Sequence, residues 1–300
     1  MKWLNLCLAL LLTACVSTPS EKVIQLSNLQ PLPASSSNQV TPLRVAVAAV
    51  ISPKGTAESY QPFLKYIGAR LNRLVELIQR RTYAEINDLV QSGYVDVAFV
   101  CTSAYIEGHE KFGMELLAAP QVNGGVTYNS LLIVPRFSPA QSMNDLRGKV
   151  FAFTDPISNT GRVYPTYLVQ KLNSTPEKFF ARTFFAYSHD DAIRAVANGL
   201  ADGAAVDSLV YEFATAREPS LLEKTKIIHR SPPFGIPPVV VSPNIRPQLK
   251  AELQASLLEM INSPEGQKGL QAIGVDRFVL IEDSAYNSVR ELLIAVGPIP

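Results

Sequence analysis

An α/β fold is predicted by three observations. Short, almost unbroken apolar runs at 43–50, 95–100, 131–134, 150–153 and 239–241 have the character of strands buried on both faces of a mainly parallel sheet. Amphipathic segments with helix-capping residues lie between them. Finally, DLVQSGYVDVAFVCTSAY (88–105) can be set over RAVANGLADGAAVDSLVY (194–211) without a gap, matching Val90/Val196, Gly93/Gly199, Asp96/Asp202, Ala98/Ala204, Val100/Val206 and Tyr105/Tyr211. In each copy a helix ends at glycine, an aspartate sits in the turn, a buried strand follows, and a polar or aromatic segment leaves its carboxyl end. A unit repeated in this way implies two lobes of similar build.

The first segment of the chain is not expected to belong to the fold. Lys2 and the apolar stretch 3–12 are too short to span a bilayer and read as a signal peptide, 1–14. Leu12-Thr13-Ala14-Cys15 resembles the lipobox of bacterial lipoproteins, which implies cleavage before Cys15 and its lipidation; an unlipidated secretory signal is the alternative. Residues 15–41 then form the acylated cysteine and a tether rich in Ser, Pro, Asn and Gln, with a reach of roughly 25 to 30 Å as flexible coil. Cys7 would leave with the signal, so Cys101 has no thiol to pair with and the fold must rest on its core.

From 42 onward the chain has 259 residues, enough for one large or two small domains. With 47% hydrophobic and 18% charged residues it is globular, and no later segment is apolar for long enough to be a membrane helix. Loss of Lys2 leaves 26 basic against 26 acidic residues. Such a neutral chain has no basic field for nucleic acid, so an anion would have to be held by local geometry.

The helices follow in order. Tyr60, Phe63, Leu64, Ile67 and Leu71 form one apolar stripe, with Pro62 expected in its first turn. Thr82 and Glu85 make a capping box ahead of Ile86, Leu89 and Val90, and Ser188 with Asp191 offers the analogous pair. Pro165 must lie near a first helical turn, which starts that helix at about 159–162.

In open α/β sheets ligands sit beyond the carboxyl ends of strands. The residues there are 101–105, 207–211 and the loop DPISNTGRVYP (155–165). In that loop Ser158, Asn159 and Thr160 stand at a helix N-terminus, where free amides and the macrodipole favour an anion. The competing reading is a simple helix cap. Asp207 could likewise cap the next helix, His189 could be an ordinary first-turn residue, and Tyr60 and Tyr105 could be core aromatics. Arg162 reads as a solvated face residue, Cys101 as a small buried hydrophobe. Tyr128 and Ser130 fall on the strand entering the hinge, within reach of a ligand.

DLRGKVFAFTDPISNTG resembles the Asp-Leu-x-Gly-Lys…Asp-Pro-x-Ser-x-Ser/Thr-Gly stretch of the phosphate/phosphite/phosphonate-binding proteins of ABC importers. SHDDAIRAVANGLADGAAVDSLVYE and YQPFLKYI…YVDVAFVCTSAYIEG…YNSLLIV are similar to two further stretches of the same family. The resemblance covers most of 43–275 in consistent order. It implies a type II periplasmic binding protein fold, two α/β lobes joined by a two-crossing hinge. Lobe one is expected at 42–134 plus 234–300 and lobe two at 135–233, with crossings near 135–138 and 231–238. It also implies a small oxyanion (phosphonate, phosphite or phosphate) held by Ser158, Asn159 and Thr160, with His189 and Asp207 from lobe two and Tyr60 and Tyr105 from lobe one. Asn159 interrupts a run that is all hydroxyl in many members, and the acid that reads an aminoalkyl tail in some members has no clear counterpart.

The partners implied are an ABC permease and, through Cys15, the membrane; the protein is expected to be a monomer without metal or cofactor. Two other functions compete with this one. A hydrolase would need a Gly-x-Ser-x-Gly, a P-loop or paired carboxylates with a metal set, none of which occurs, and three histidines leave little general base. A lipoprotein that senses a solute and signals to a membrane kinase is the alternative, because Val16 after Cys15 resembles an outer-membrane sorting signal.

Overall fold

The computed structural model describes residues 41–298; the signal peptide, Cys15 and the tether lie outside the described residues. The chain runs β1 (Leu43–Val47), α1 (Pro53–Leu71), β2 (Val75–Gln79), α2 (Tyr83–Gln91), β3 (Val97–Phe99), α3 (Thr102–Phe112) and β4 (Glu115–Gln121). It continues through β5 (Thr127–Tyr128), β6 (Ser130–Pro135), β7 (Val150–Phe153), α4 (Tyr164–Gln170), α5 (Pro176–Phe179), β8 (Arg182–Phe185), α6 (His189–Ala197) and β9 (Gly203–Asp207). Then come α7 (Ser208–Arg217), α8 (Ser220–Lys224), β10 (Thr225–Arg230), β11 (Phe234–Gly235), β12 (Val239–Val241), α9 (Pro247–Leu258), α10 (Pro264–Ala272), β13 (Arg277–Val279) and α11 (Asn287–Val296).

Two separate sheets result. One has the order β13-β4-β12-β3-β1-β2, the other β10-β6-β9-β7-β8, and a two-stranded pair β11-β5 stands apart from both. Both sheets are mixed rather than mainly parallel. In the first only β1 with β2 and β3 run parallel, in the second only β7 with β8 and β9. The remaining ladders are antiparallel. Strand β6 explains the difference: its six residues are almost wholly buried, so its apolar run matches a parallel strand and says nothing about direction.

Pairing also corrects a lobe assignment. Residues 131–134, expected in lobe one, pair with β9 and β10 in the second sheet. The first passage between sheets therefore lies between β4 and β6 and not at 135–138. The return runs between β10 and β12, and β5 pairs with β11 where the two passages meet.

The internal repeat is real at the level of backbone chemistry. Asp96 and Asp202 each accept a hydrogen bond from an amide at the start of the adjacent parallel strand, Arg44 and Val150 respectively, both at 2.8 Å. Each returns its own amide to that residue's carbonyl. Gly93 and Gly199 both take left-handed backbone (φ 67° and 72°) after α2 and α6, a conformation that glycine adopts without a Cβ penalty.

Local signals hold with one exception. Thr82 and Glu85 form the reciprocal capping box, and the Ser188 hydroxyl accepts from the Asp191 amide. Pro62, however, is inside α1, which starts at Pro53. The amide it lacks would have served Glu58, whose residue is exposed to water, and the apolar stripe through Phe63 and Ile67 is buried regardless. Burial of that face outweighs one missing helix bond.

The two sheets are bridged by several polar contacts. Ser52 gives its amide and hydroxyl to the Asp190 carboxylate at 2.7 Å each. The His189 amide donates to Val50 O, the Tyr83 amide to Asp155 (3.0 Å), the Ser103 hydroxyl to Ile157 O and Arg217 to Ser59 (2.9 Å). The described residues accordingly form one compact unit.

Candidate ligand-binding site

The loop 155–163 enters α4 through one π-helical turn, Asn159–Val163. The cause lies in Pro165. Without an amide it cannot serve the carbonyls four and five residues back, and those find other donors: Gly161 O accepts from the Thr154 amide, Thr160 O from the Ser130 hydroxyl at 2.7 Å. Wide turns of this kind recur at functional sites. Ser158, Asn159 and Thr160 are all fully buried rather than at an open cleft mouth.

Their side chains divide by role. The Ser158 hydroxyl accepts from the Gly161 amide (3.1 Å) and so acts as the cap. Asn159 donates through Nδ2 to the Tyr128 hydroxyl (3.1 Å), leaving Oδ1 without a partner. The Thr160 hydroxyl has no partner at all, nor has that of Tyr83. Buried polar atoms are nearly always paired, so the unpaired ones of Tyr83, Asn159 and Thr160 are open to a polar partner.

His189 and Asp207 meet beside them. His189 is the first residue of α6 and is 1% exposed. The Asp207 amide donates to His189 Nδ1 (3.0 Å), which fixes the neutral tautomer with hydrogen on Nε2. Burial pushes the His189 pKa down to about 3. Asp207 ends β9, and its Oδ1 caps α7 by accepting from the Leu209 and Val210 amides. Burial nonetheless pushes its carboxyl up to about 7, against those two amides. At pH 5 to 6 the pair is thus a neutral acid beside a neutral imidazole.

Tyr83 is the residue that sequence reasoning missed. It is the first residue of α2, just past β2, and fully buried. Burial above all raises its pKa, with Cys101, Asp155 and Asp207 adding to the rise. Tyr128, in β5, is raised by burial with Cys101 and Asp207 nearby.

Tyr60 and Tyr105 part company. Tyr60 lines a cavity of about 290 Å³ between the two sheets, packing edge-on to Phe63 and Phe99. Asp207 borders the same cavity, with Val50, Val210 and Phe213. Tyr105 does not belong there. Its hydroxyl donates to Asp283 (2.6 Å) and its ring packs on Tyr286, so it is a core aromatic between α3 and α11. Arg162 is not a solvated residue either: it is buried over the Phe153 ring, 4.3 Å from the centroid, and reaches Glu177 at 3.7 Å.

Isosteric removal of the unpaired hydroxyls separates binding from folding. Tyr83→Phe and Thr160→Val should leave thermal stability equal or higher, because an unpaired buried hydroxyl costs about 1 to 3 kcal/mol. Each should weaken anion affinity about tenfold or more, the worth of a hydrogen bond to a charged group. Thermal unfolding and calorimetry on the same samples read both effects.

Two α/β sheets with two chain passages between them, and buried polar residues where their strand ends meet, define a type II periplasmic binding protein. Residues 45–286 match the family described as the periplasmic substrate-binding protein of phosphonate ABC transporters, and the chain belongs to that family. It is 26% identical over 267 residues to the phosphonates-binding periplasmic protein of Escherichia coli (strain K12), covering 87% of this chain and 79% of that one. It is 29% identical over 217 residues to the phosphate-import protein PhnD of Mycolicibacterium smegmatis, covering 68% of this chain and 64% of that one. A crystal structure of a binding component of an ABC phosphonate transporter from Pseudomonas aeruginosa superposes with a TM-score of 0.80 at 26% identity, over 85% of this chain and 86% of that one. These relatives are binding proteins, not enzymes. Among the described residues no group of His, Cys, Asp and Glu could hold a metal ion, and no helix is long and apolar enough to cross a membrane.

Proposed function

We propose that this protein is a lipid-anchored receptor for a small phosphorus oxyanion, a phosphonate, phosphite or phosphate, which it delivers to an ABC permease. The carrying observation is the pair of unpaired buried hydroxyls, Tyr83 Oη and Thr160 Oγ1, with the protonatable Asp207 and the ring donor of His189; the free Asn159 Oδ1 can only accept, from a P–OH. The names of the Escherichia coli and Mycolicibacterium relatives support a phosphorus oxyanion as the ligand class. In this reading lobe one is 42–129 with 234–300, lobe two is 130–233, and the ligand replaces water between them. Closure is favoured because contacts such as Ser52–Asp190 and Tyr83–Asp155 and the ligand itself reward the same arrangement.

Asp207 would share one proton with a phosphorus oxygen, whichever partner brings it. The chain works as a monomer. Cys15 anchors it to the membrane surface, and the tether gives it reach to a permease. Sensing through a kinase is the second reading, favoured by Val16 after the lipidated cysteine. Calorimetric titration of the full chain with phosphate, phosphite, methylphosphonate, sulfate and nitrate tests the ligand class. One-to-one binding of a phosphorus oxyanion, with sulfate much weaker, is expected. Equal binding of sulfate at pH 8.5, where neither sulfate nor an ionised Asp207 brings a proton, would remove Asp207 from its role.

A further inference from the structure

The cavity that adjoins the oxyanion cluster has a chemistry that the cluster does not explain. It holds about 290 Å³, about twice the volume of an engineered apolar cavity that takes up benzene. Phosphate or phosphite would leave it empty. Its walls come from both lobes and from the second passage between them: Val50, Tyr60 and Phe99 on one side, Val210 and Phe213 on the other, Ile236 at the crossing. Two carboxylates border it. Asp207 is buried and already holds two amides through Oδ1, while Glu212 is exposed to solvent. Since Asp207 borders both spaces, a ligand whose phosphorus group sits against Asp207 would project its substituent into this cavity.

We infer that the protein selects organophosphonates with an uncharged alkyl or aryl substituent, which fills the apolar cavity, over aminoalkyl phosphonates. This rests on the oxyanion reading above. An ammonium group placed among Val50, Phe99 and Phe213 would lose its water and meet no free buried carboxylate. A methylene placed there gains the transfer free energy of burial, roughly fourfold in affinity per group.

Calorimetry of the full chain with phosphate, methylphosphonate, propylphosphonate and 2-aminoethylphosphonate tests it, because the last two have the same shape and differ in charge. Propylphosphonate should bind roughly fifteenfold tighter than methylphosphonate and at least tenfold tighter than its aminoethyl counterpart. Phe213→Asp should narrow or reverse that second ratio. Affinity that is flat from methyl to propyl, an aminoethyl ligand that binds as well as propyl, or a ratio unmoved by Phe213→Asp would overturn the substituent assignment while leaving the oxyanion site standing. Absence of binding by all four ligands would overturn both.

Discussion

Gly161→Ala should abolish measurable oxyanion binding and lower stability by several kcal/mol. A Cβ at Gly161 would fall 1.8 Å from Thr154 Oγ1, 2.7 Å from its Cγ2 and 2.8 Å from its Cβ. Thr154 is fully buried at the end of β7, so it has no room to retreat. The π-helical turn must then shift, and with it Asn159 and Thr160, whose free polar atoms make the site. Forced overpacking of a buried position costs about 1 to 3 kcal/mol or more, and here the Gly161 amide would also pull away from the Ser158 cap. Adding Thr154→Ala removes the two shortest clashes and should restore part of both stability and affinity. Calorimetry and thermal unfolding check this; wild-type affinity in Gly161→Ala would show that the turn does not hold the ligand.

The second large effect concerns Asp207→Asn and is a matter of proton linkage. Folded Asp207 keeps its proton up to about pH 7, whereas the unfolded carboxyl loses it near 3.9. Between those values the folded state binds the extra proton, so stability falls as pH rises. For His189 the signs are reversed. The unfolded ring is protonated up to about 6.5, the folded ring only below about 3, so stability rises with pH through that window. The windows overlap from about 3.9 to 6.5, and two slopes near 1.4 kcal/mol per pH unit cancel.

Asparagine removes only the falling limb. It can still accept from the Leu209 and Val210 amides, so the α7 cap survives. The variant should therefore be about 1 kcal/mol more stable than wild type at pH 4.5 and on the order of 4 kcal/mol more stable at pH 8, as read from thermal unfolding of both proteins at each pH. A difference that does not grow with pH would mean that Asp207 is ionised in the folded protein. Binding should respond as well. Wild-type affinity should decline above about pH 7, by up to tenfold per unit for one lost proton, and the variant should lose that decline.

What the sequence revealed depended on whether the cause was local. The capping box at Thr82, the turn glycines Gly93 and Gly199, and the repeat with its two clamping aspartates are consequences of short-range chemistry and could be read directly. Strand direction could not, because burial on both faces gives β6 and β12 the same apolar run in antiparallel ladders as β7 has in parallel ones. The proline at 165 placed the start of the helical segment near 159, yet that its first turn is π-helical depends on the Ser130 hydroxyl from β6 and the Thr154 amide just past β7.

In the site, position past a strand end pointed to the loop 155–165 and to Asp207, whereas His189 came from the family resemblance. Applied to β2, the strand-end signal would have found Tyr83 as well. Tyr105 went the other way. The repeat set it against Tyr211, whose hydroxyl meets Thr225 in the second lobe's core, and two equivalent tyrosines in packing positions argued against a ligand role for either. Ser158 and Asp207 each occupy a cap, as the cap reading of their positions expects. Asp207 still borders the cavity, whereas the unpaired atoms of the loop belong to its neighbours.

A crystal structure of the full chain grown with methylphosphonate tests the central claim most directly. It should show phosphorus oxygens within hydrogen-bonding distance of Tyr83 Oη, Thr160 Oγ1 and Asp207, with the methyl group directed toward Tyr60 and Phe99. Methylphosphonate bound elsewhere, with those hydroxyls still paired to nothing, would contradict it.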